Sequence, residues 1–417
     1  MGRLLDFAGG CVRVLARGNR AYRAWVALLL AMIGTGALAY AHQARLGLIA
    51  THMRDQVSWA FYVGNFTFLV GVAAAAVLLV IPAYVYDWKP LKEVVILGEL
   101  LAISAIVMCL LFILVDMGRP ERFLHLAPLL GTPHWPASLL TWDALVLNLY
   151  LAVNVAVAAH ILYRAWRGRP YDRRVVVPLV LFSIPMAVST HTVTAFLYSG
   201  MAARPYWNAS ILAPRFLASA FCSGPAVLLV LFQVLRRTTG LEIKDEAISK
   251  VAELMAYAMF VNLFLLGAEV FKEYYSGTEH LLYTQYFWSG IGRHRALVPF
   301  AWTGLACSLA AFLLFLVPRT RHHPVTLNLG CALIFAGVYI EKGMGLVIPG
   351  MTPDTLGEIY EYRPTLTEWL VATGIFGVGF LVFTALVKLA VPILSGRLRA
   401  SGTAAGAPPA LAPGAAP

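Results

Sequence analysis

Six polar or amphipathic side chains interrupt apolar runs at one common depth: Tyr62, Asn65, Trp142, Asp143, His191 and Arg215. They come from four separate runs. Reading each run as a helix rising about 1.5 Å per residue places all six near the same surface. A charge at mid-bilayer costs at least about 2.5–3.5 kcal/mol on insertion scales, so such residues call for a pairing or chemical role. His191 is the only histidine deep in a run, whereas His160 lies near an end. An imidazole that titrates near neutrality suits proton exchange with the oxygen of a membrane quinone, and Asp143 suits the part of its orienting group. The structural alternatives are a helix–helix hydrogen bond from His191, which has Ser189, Thr190, Thr192 and Thr194 beside it, and an Asp143–Arg215 bridge.

A second outer layer holds Glu269, Glu341, Lys342 and Glu368, of which Glu341 and Lys342 also read as interfacial charges capping an apolar run. Toward the other surface lie Glu99, Glu253, Asn148, Asn154 and Asn262. A carboxyl in lipid favours its neutral form, which suits Glu99 and Glu253 to proton transfer. The stretch Asp116-Met-Gly-Arg-Pro-Glu-Arg-Phe turns at Gly118 and Pro120. It adds Asp116 to the proton-transfer candidates and offers Arg119, Glu121 and Arg122 to an extramembrane partner; a salt-bridged cap is the alternative. Haem on helices normally needs a facing histidine pair, and no second deep histidine exists. Cys11, Cys109, Cys222, Cys307 and Cys331 show no C-x-x-C spacing, so neither an iron–sulfur cluster nor a metal site is expected in this chain.

The elements that position these residues follow from composition. Of 417 residues, 60% are hydrophobic and only 13% charged. A soluble domain carries about a quarter charged residues, so lipid must be the main solvent. The net charge of +11 sits in short clusters between apolar runs, as inter-helix loops require, and not in a nucleic-acid surface. Ten runs are long enough to cross a bilayer: 24–41, 58–84, 94–115, 139–163, 175–197, 212–235, 247–270, 297–317, 325–347 and 367–391. Arg3, Arg13, Arg17, Arg20 and Arg23 share a side with Arg164, Arg167, Arg169, Arg173 and Arg174. By the positive-inside rule both termini are expected in the cytoplasm of a bacterial or archaeal cell, with the chain in its cytoplasmic membrane. Residues 401–417 read as a disordered tail.

The second and sixth runs align without gaps. Asn65-Phe66 lies over Arg215-Phe216, and Ala76-Val-Leu-Leu-Val recurs from Ala226; Glu99-Leu-Leu-Ala then matches Glu253-Leu-Met-Ala. Chance similarity between apolar stretches is the alternative to duplication. The expected fold is an all-α integral membrane protein of ten transmembrane helices. Spans 2–5 and 6–9 form two parallel-repeat four-helix bundles, flanked by spans 1 and 10. The corresponding segments are 1–23, 24–57, 58–198, 199–347, 348–395 and 396–417.

The stretch Asp116-Met-Gly-Arg-Pro-Glu-Arg, followed by Trp142-Asp143, resembles the NrfD family of polysulfide-reductase-type membrane subunits. Residues 54–59, 65–71, 191–197 and 211–218 are similar to its DsrP branch, the ten-helix subunit of a transmembrane complex associated with dissimilatory sulfite reduction. The resemblance implies a subunit without a redox cofactor of its own. It would exchange electrons between a quinone, of the menaquinone type, and a ferredoxin-like iron–sulfur subunit on the outer face, in sulfur-compound metabolism. Cytochrome and further iron–sulfur subunits would complete the assembly. In shorter members the quinone pocket uses Asn and His on the second span and Tyr on the fifth. Here the matching neighbourhoods hold Tyr62, Asn65, Phe66 and His191, so the location carries over while the residue types differ. Two other readings compete. A proton channel or secondary transporter would suit the repeat and the carboxylates, but clear Gly/Pro-broken helix pairs are missing. A passive membrane anchor would have lost the pocket.

Overall fold

A computed structural model describes residues 2–400 apart from 87, 93, 127–130, 240 and 242; the expected tail 401–417 lies outside the described residues. Ten helices in it are long and apolar enough to cross a membrane: α1 (Arg20–Leu46), α2 (Phe61–Tyr84), α3 (Val95–Asp116), α4 (Leu139–Trp166), α5 (Arg173–Ser199), α6 (Leu212–Thr239), α7 (Asp245–Ser276), α8 (Val298–Leu316), α9 (Pro324–Met351) and α10 (Leu366–Leu394). Short polar side chains begin several of them by satisfying the first free N–H groups. Asn19 accepts from Tyr22 N–H, Ser138 from Thr141 and Asp172 from Arg174, while Thr365 and Glu368 form a reciprocal capping box. At the other end of α7, Gly277 closes the helix at φ 60°, where a glycine carries no Cβ penalty.

The helices form two four-helix bundles, α2–α5 and α6–α9, joined where α2 meets α6 and α9 and where α5 meets α6. Helices α1 and α10 pair with each other outside them, and α10 leans on α3. That pairing is close because Gly36 and Gly374 face one another: a Cβ added at Gly36 would stand 2.5 Å from Gly374 Cα. Small residues let backbones approach in lipid, where packing replaces the hydrophobic drive. Gly36→Leu is therefore expected to cost about 1–3 kcal/mol by overpacking. A lower thermal midpoint in detergent, with α1 more accessible to protease, would show it.

Several helices run further than the hydropathy suggests, α1 and α9 among them. Helix α1 continues past residue 41 to Leu46, which brings Gln43 into the protein interior. Helix α9 continues past 347 to Met351 and contains a wide π turn over Ile340–Met344, where Gly345 N–H reaches back to Ile340 O. Glu341 and Lys342 lie in that turn, so they are inside a span and not at its end as interfacial charges. Beside them the backbones of Gly343 and Gly64 nearly touch: a Cβ at Gly343 would be 3.3 Å from Gly64 O.

The loops at the end of the bundles opposite the termini form an ordered cap. Trp207 is fully buried, stacks on Trp59 at 5.7 Å and meets Tyr198 edge-on at 5.0 Å. Its indole N–H donates to Leu346 O at 2.8 Å, and Arg204 donates to Met351 O at 2.9 Å. This end is the capped face, and the opposite end, where the arginine clusters lie, is the basic face.

Candidate functional site

Helix α5 builds the site. His191, Thr194 and Tyr198 follow one another at helical spacing on its inward face and are all buried. His191 Nδ1 lies 2.9 Å from Ala187 O. A carbonyl only accepts, so Nδ1 carries the proton and Nε2 presents a lone pair. That Nε2 is buried and has no partner. Thr194 Oγ1 lies 2.7 Å from Asp143 Oδ1 on α4, while Asp143 Oδ2 is buried and unpartnered. Two adjacent helices therefore each hold one buried polar atom that the protein leaves open. Buried polar atoms are normally satisfied, and two left open on neighbouring helices ask for a hydrogen-bonding ligand.

The residues expected beside this pair bond in other directions. Tyr62 OH donates to Gln43 Oε1 at 2.6 Å, and Gln43 in turn donates to Val115 O, which turns Tyr62 toward α1 and α3. Asn65 donates to Phe61 O and accepts from Tyr339 OH of α9 at 3.0 Å, so it faces the second bundle. Phe66 is core packing, and its carbonyl faces Cys109 of α3. Trp142 donates to Pro136 O at 2.8 Å and lies on Trp135, so it belongs to the loop cap. What α2 does turn toward α5 is Thr67, which shares a 2.5 Å hydrogen bond with Tyr198 OH. Tyr198 and Thr67 have no place in the sequence reading, and Thr194 enters it only as a neighbour of His191. The hydroxyls of Thr67 and Thr194 gave no signal among so many small residues, but a tyrosine on the fifth span could have been matched to the family pocket.

Arg215 belongs elsewhere. Instead of bridging to Asp143 it ion-pairs with Glu269 of α7 and, at 2.7 Å, with Glu341 of α9; Asn262 donates to the same Glu341 at 3.2 Å. Lys342, also buried, sits with its ammonium 3.7 Å from the Phe216 ring centre. These two cations and two carboxylates cancel, which is how four charges persist inside an apolar span. Among the proton-transfer candidates, Glu99 is buried with Oε2 unpartnered, within electrostatic reach of Tyr84 and Tyr150. Glu253 is different from its repeat partner: it is partly exposed and bound by Tyr257 at 2.9 Å and Lys250 at 3.3 Å. Asp116 ends α3 with Oδ1 unpartnered, within electrostatic reach of Glu368. Glu368 itself is fully buried and accepts from Tyr362, Thr365 and His52. On the capped face Arg119 and Glu121 pair at 3.3 Å with both side chains largely exposed. A backbone N–H first, and Arg119 next, hold the Glu121 carboxyl below its ordinary range. Arg122 is exposed beside them.

Three relatives match over most of their length. A putative dimethyl sulfoxide reductase membrane subunit of Halobacterium salinarum is 27% identical over 87% of this chain and 90% of its own. A selenate reductase subunit of Mesobacillus selenatarsenatis is 23% identical over 84% and 89%. The Hdr-like menaquinol oxidoreductase integral membrane subunit of Archaeoglobus fulgidus is 25% identical over 88% and 93%. Residues 50–353, which carry both bundles, match the family model described as "Polysulphide reductase, NrfD", and the chain belongs to that family.

Proposed function

We propose that this chain is the quinone-reacting membrane subunit of a multisubunit redox complex, exchanging electrons between a membrane quinol or quinone and an iron–sulfur partner. The observation that carries the reading is the open pair in the first bundle: the lone pair on His191 Nε2 and the free Asp143 Oδ2, both buried, on neighbouring helices. A quinol head presents two hydroxyl donors, whereas a quinone presents only acceptors. The His191 lone pair fits a quinol hydroxyl, while the Asp143 oxygen donates to a quinone when protonated and accepts from a quinol when ionised, so the two can exchange protons with the head group as electrons move. Tyr198 and Thr67 would orient the head group. The menaquinol oxidoreductase among the relatives supports the same class of substrate.

The electrons pass to an iron–sulfur subunit of the ferredoxin-like type docked on the capped face, with cytochrome and further iron–sulfur subunits beyond it, in a complex of the DsrP kind serving sulfur-compound metabolism. The capped face is extracytoplasmic in this proposal, and both termini are cytoplasmic by their basic loops. Protons leave through His191 and Asp143, either toward the capped face past Asp116 or toward the basic face through Glu99. The direct test is reduction of the partner's clusters by a menaquinol analogue in proteoliposomes. No reduction would leave a passive anchor, and solute or proton flux without the partner would make the chain a transporter or channel.

Docking gives a separate expectation. Reversing Arg119 and Arg122 to Glu places four acidic groups, counting Asp116 and Glu121, where the partner lands. Association measured by co-purification titration should fall about tenfold at low ionic strength, and the gap should close as salt is raised.

A further inference from the structure

A cationic pocket of about 420 Å³ opens on the basic face beside the α1–α10 pair, lined by Arg13, Val14, Arg17, Lys388, Pro392 and Leu398. It is built by the helix Gly2–Ala16 that precedes α1, by the turn after that helix, and by the end of α10. In the preceding helix Phe7, Gly10, Cys11 and Val14 recur at helical spacing and turn inward, while Val12 and Arg13 are exposed. Phe7 seats the helix edge-on against Tyr163 and Trp166 of α4, at 5.7 and 5.1 Å. The turn is folded over α10. Tyr22 OH donates to Leu15 O at 3.0 Å, while the Lys388 ammonium donates to Arg17 O and lies 2.9 Å from the Tyr22 ring centre.

Depth places this pocket among lipid head groups. Helix α10 has 29 residues, so it is about 43 Å long and outruns a hydrocarbon core of about 30 Å. Lys388 stands about 9 Å before the helix end at Leu394, where acyl chains give way to head groups. An aromatic residue marks the same level: Trp25 of α1 is exposed and donates its indole N–H to Thr384, one turn before Lys388, at 3.1 Å.

Charge selects the occupant. Among the described residues none of Arg13, Arg17 and Lys388 pairs with a carboxylate. Asp6, the one acid of the preceding helix, does not line the pocket. Arg13 spends its Nε on Gly9 O at 3.2 Å and keeps its terminal nitrogens open. Other arginines of this face are committed: Arg236 pairs with Asp245, and Arg164 donates to Pro170 O at 2.9 Å. Two guanidinium forks suit phosphate oxygens, and the ammonium adds a point charge between them. A head group carrying its own ammonium would meet repulsion here. Val14, Pro392 and Leu398 offer an apolar wall to the glycerol backbone and the first acyl carbons.

We infer that this pocket binds the phosphodiester head group of an anionic phospholipid from the adjoining leaflet, and that the bound head group ties the preceding helix to α10. The site stands apart from the His191 pair and needs nothing from the proposed function. The test is photolabelling of the full chain in phosphatidylcholine nanodiscs with a phosphatidylglycerol that carries a photoreactive head group, followed by peptide mapping. Label is expected in residues 7–17 and 384–398, displaced by unlabelled phosphatidylglycerol and not by phosphatidylcholine. Arg13→Gln with Arg17→Gln should cut it by at least about tenfold. Arg173→Gln with Arg174→Gln, which removes the same charge from exposed positions on the same face, should leave it unchanged. Leu398→Trp keeps every charge but narrows the pocket, and should also lower the label. Label absent from both segments, or unaffected by Leu398→Trp, would overturn the site. Equal loss in the two arginine pairs would reduce it to general surface charge. Displacement by inorganic phosphate as effective as that by phosphatidylglycerol would give the pocket to a soluble anion and overturn the lipid assignment.

Discussion

His191→Ala lowers quinol-driven reduction of the partner subunit by about 10²–10⁴-fold, the range lost with a positioned acid–base group, while the complex still assembles. Assembly survives because the contact His191 makes within the protein is local: its Nδ1 bonds the carbonyl one turn back, and Ala187 O also accepts from Thr190. The loss falls on turnover with the partner's clusters intact, so chemical reduction of those clusters should be unchanged. Thr194→Val is the graded companion. It removes the hydrogen bond that fixes Asp143 but leaves both acceptors in place, so a smaller loss with an altered pH profile is expected. Wild-type rates in His191→Ala would exclude the imidazole from the reaction.

Arg215→Met should have the largest effect on the fold. It leaves Glu269 and Glu341 facing each other in the second bundle with only Lys342 nearby. Breaking a buried pair by removing one partner costs about 3–5 kcal/mol, a large part of the roughly 5–15 kcal/mol that holds a domain together. Membrane-extracted protein should fall sharply and its thermal midpoint drop. Adding Glu269→Gln restores the balance, because Lys342 still offsets Glu341, and should recover most of the lost stability. If Arg215→Met alone melted like the parent, water would be sharing the load and the ion pairs would contribute little.

Hydropathy made the ten spans legible, since in lipid a backbone must satisfy itself within each helix and apolar length alone marks the crossing. It could not place the ends where charge is paired inward. Glu341-Lys342 looked like a terminus because their counter-charges, Arg215 and Glu269, lie on other helices. Length was readable from a fixed rise per residue. Direction around the helix was not, and three residues show this within α2: Tyr62 faces α1, Asn65 faces α9 and Thr67 faces α5. In a soluble helix an apolar stripe would have fixed that angle, whereas a span that is apolar all round carries no such stripe. The repeat shows the same limit. Glu99 and Glu253 match in sequence, yet one is enclosed and the other is held by Lys250 near the basic face.

The π turn of α9 has a geometric consequence. A π turn accommodates one residue more than an α turn, and each residue of a regular helix advances by about 100°. Excising a single residue from 340–344 would therefore rotate the tip 345–351 by roughly that angle against the rod below. Leu346 O would swing away from the Trp207 indole and Met351 O away from Arg204. The surplus residue works as a phase shifter: it lets the lower rod keep its angular setting against the buried charges while the tip is indexed separately to the aromatic plug above.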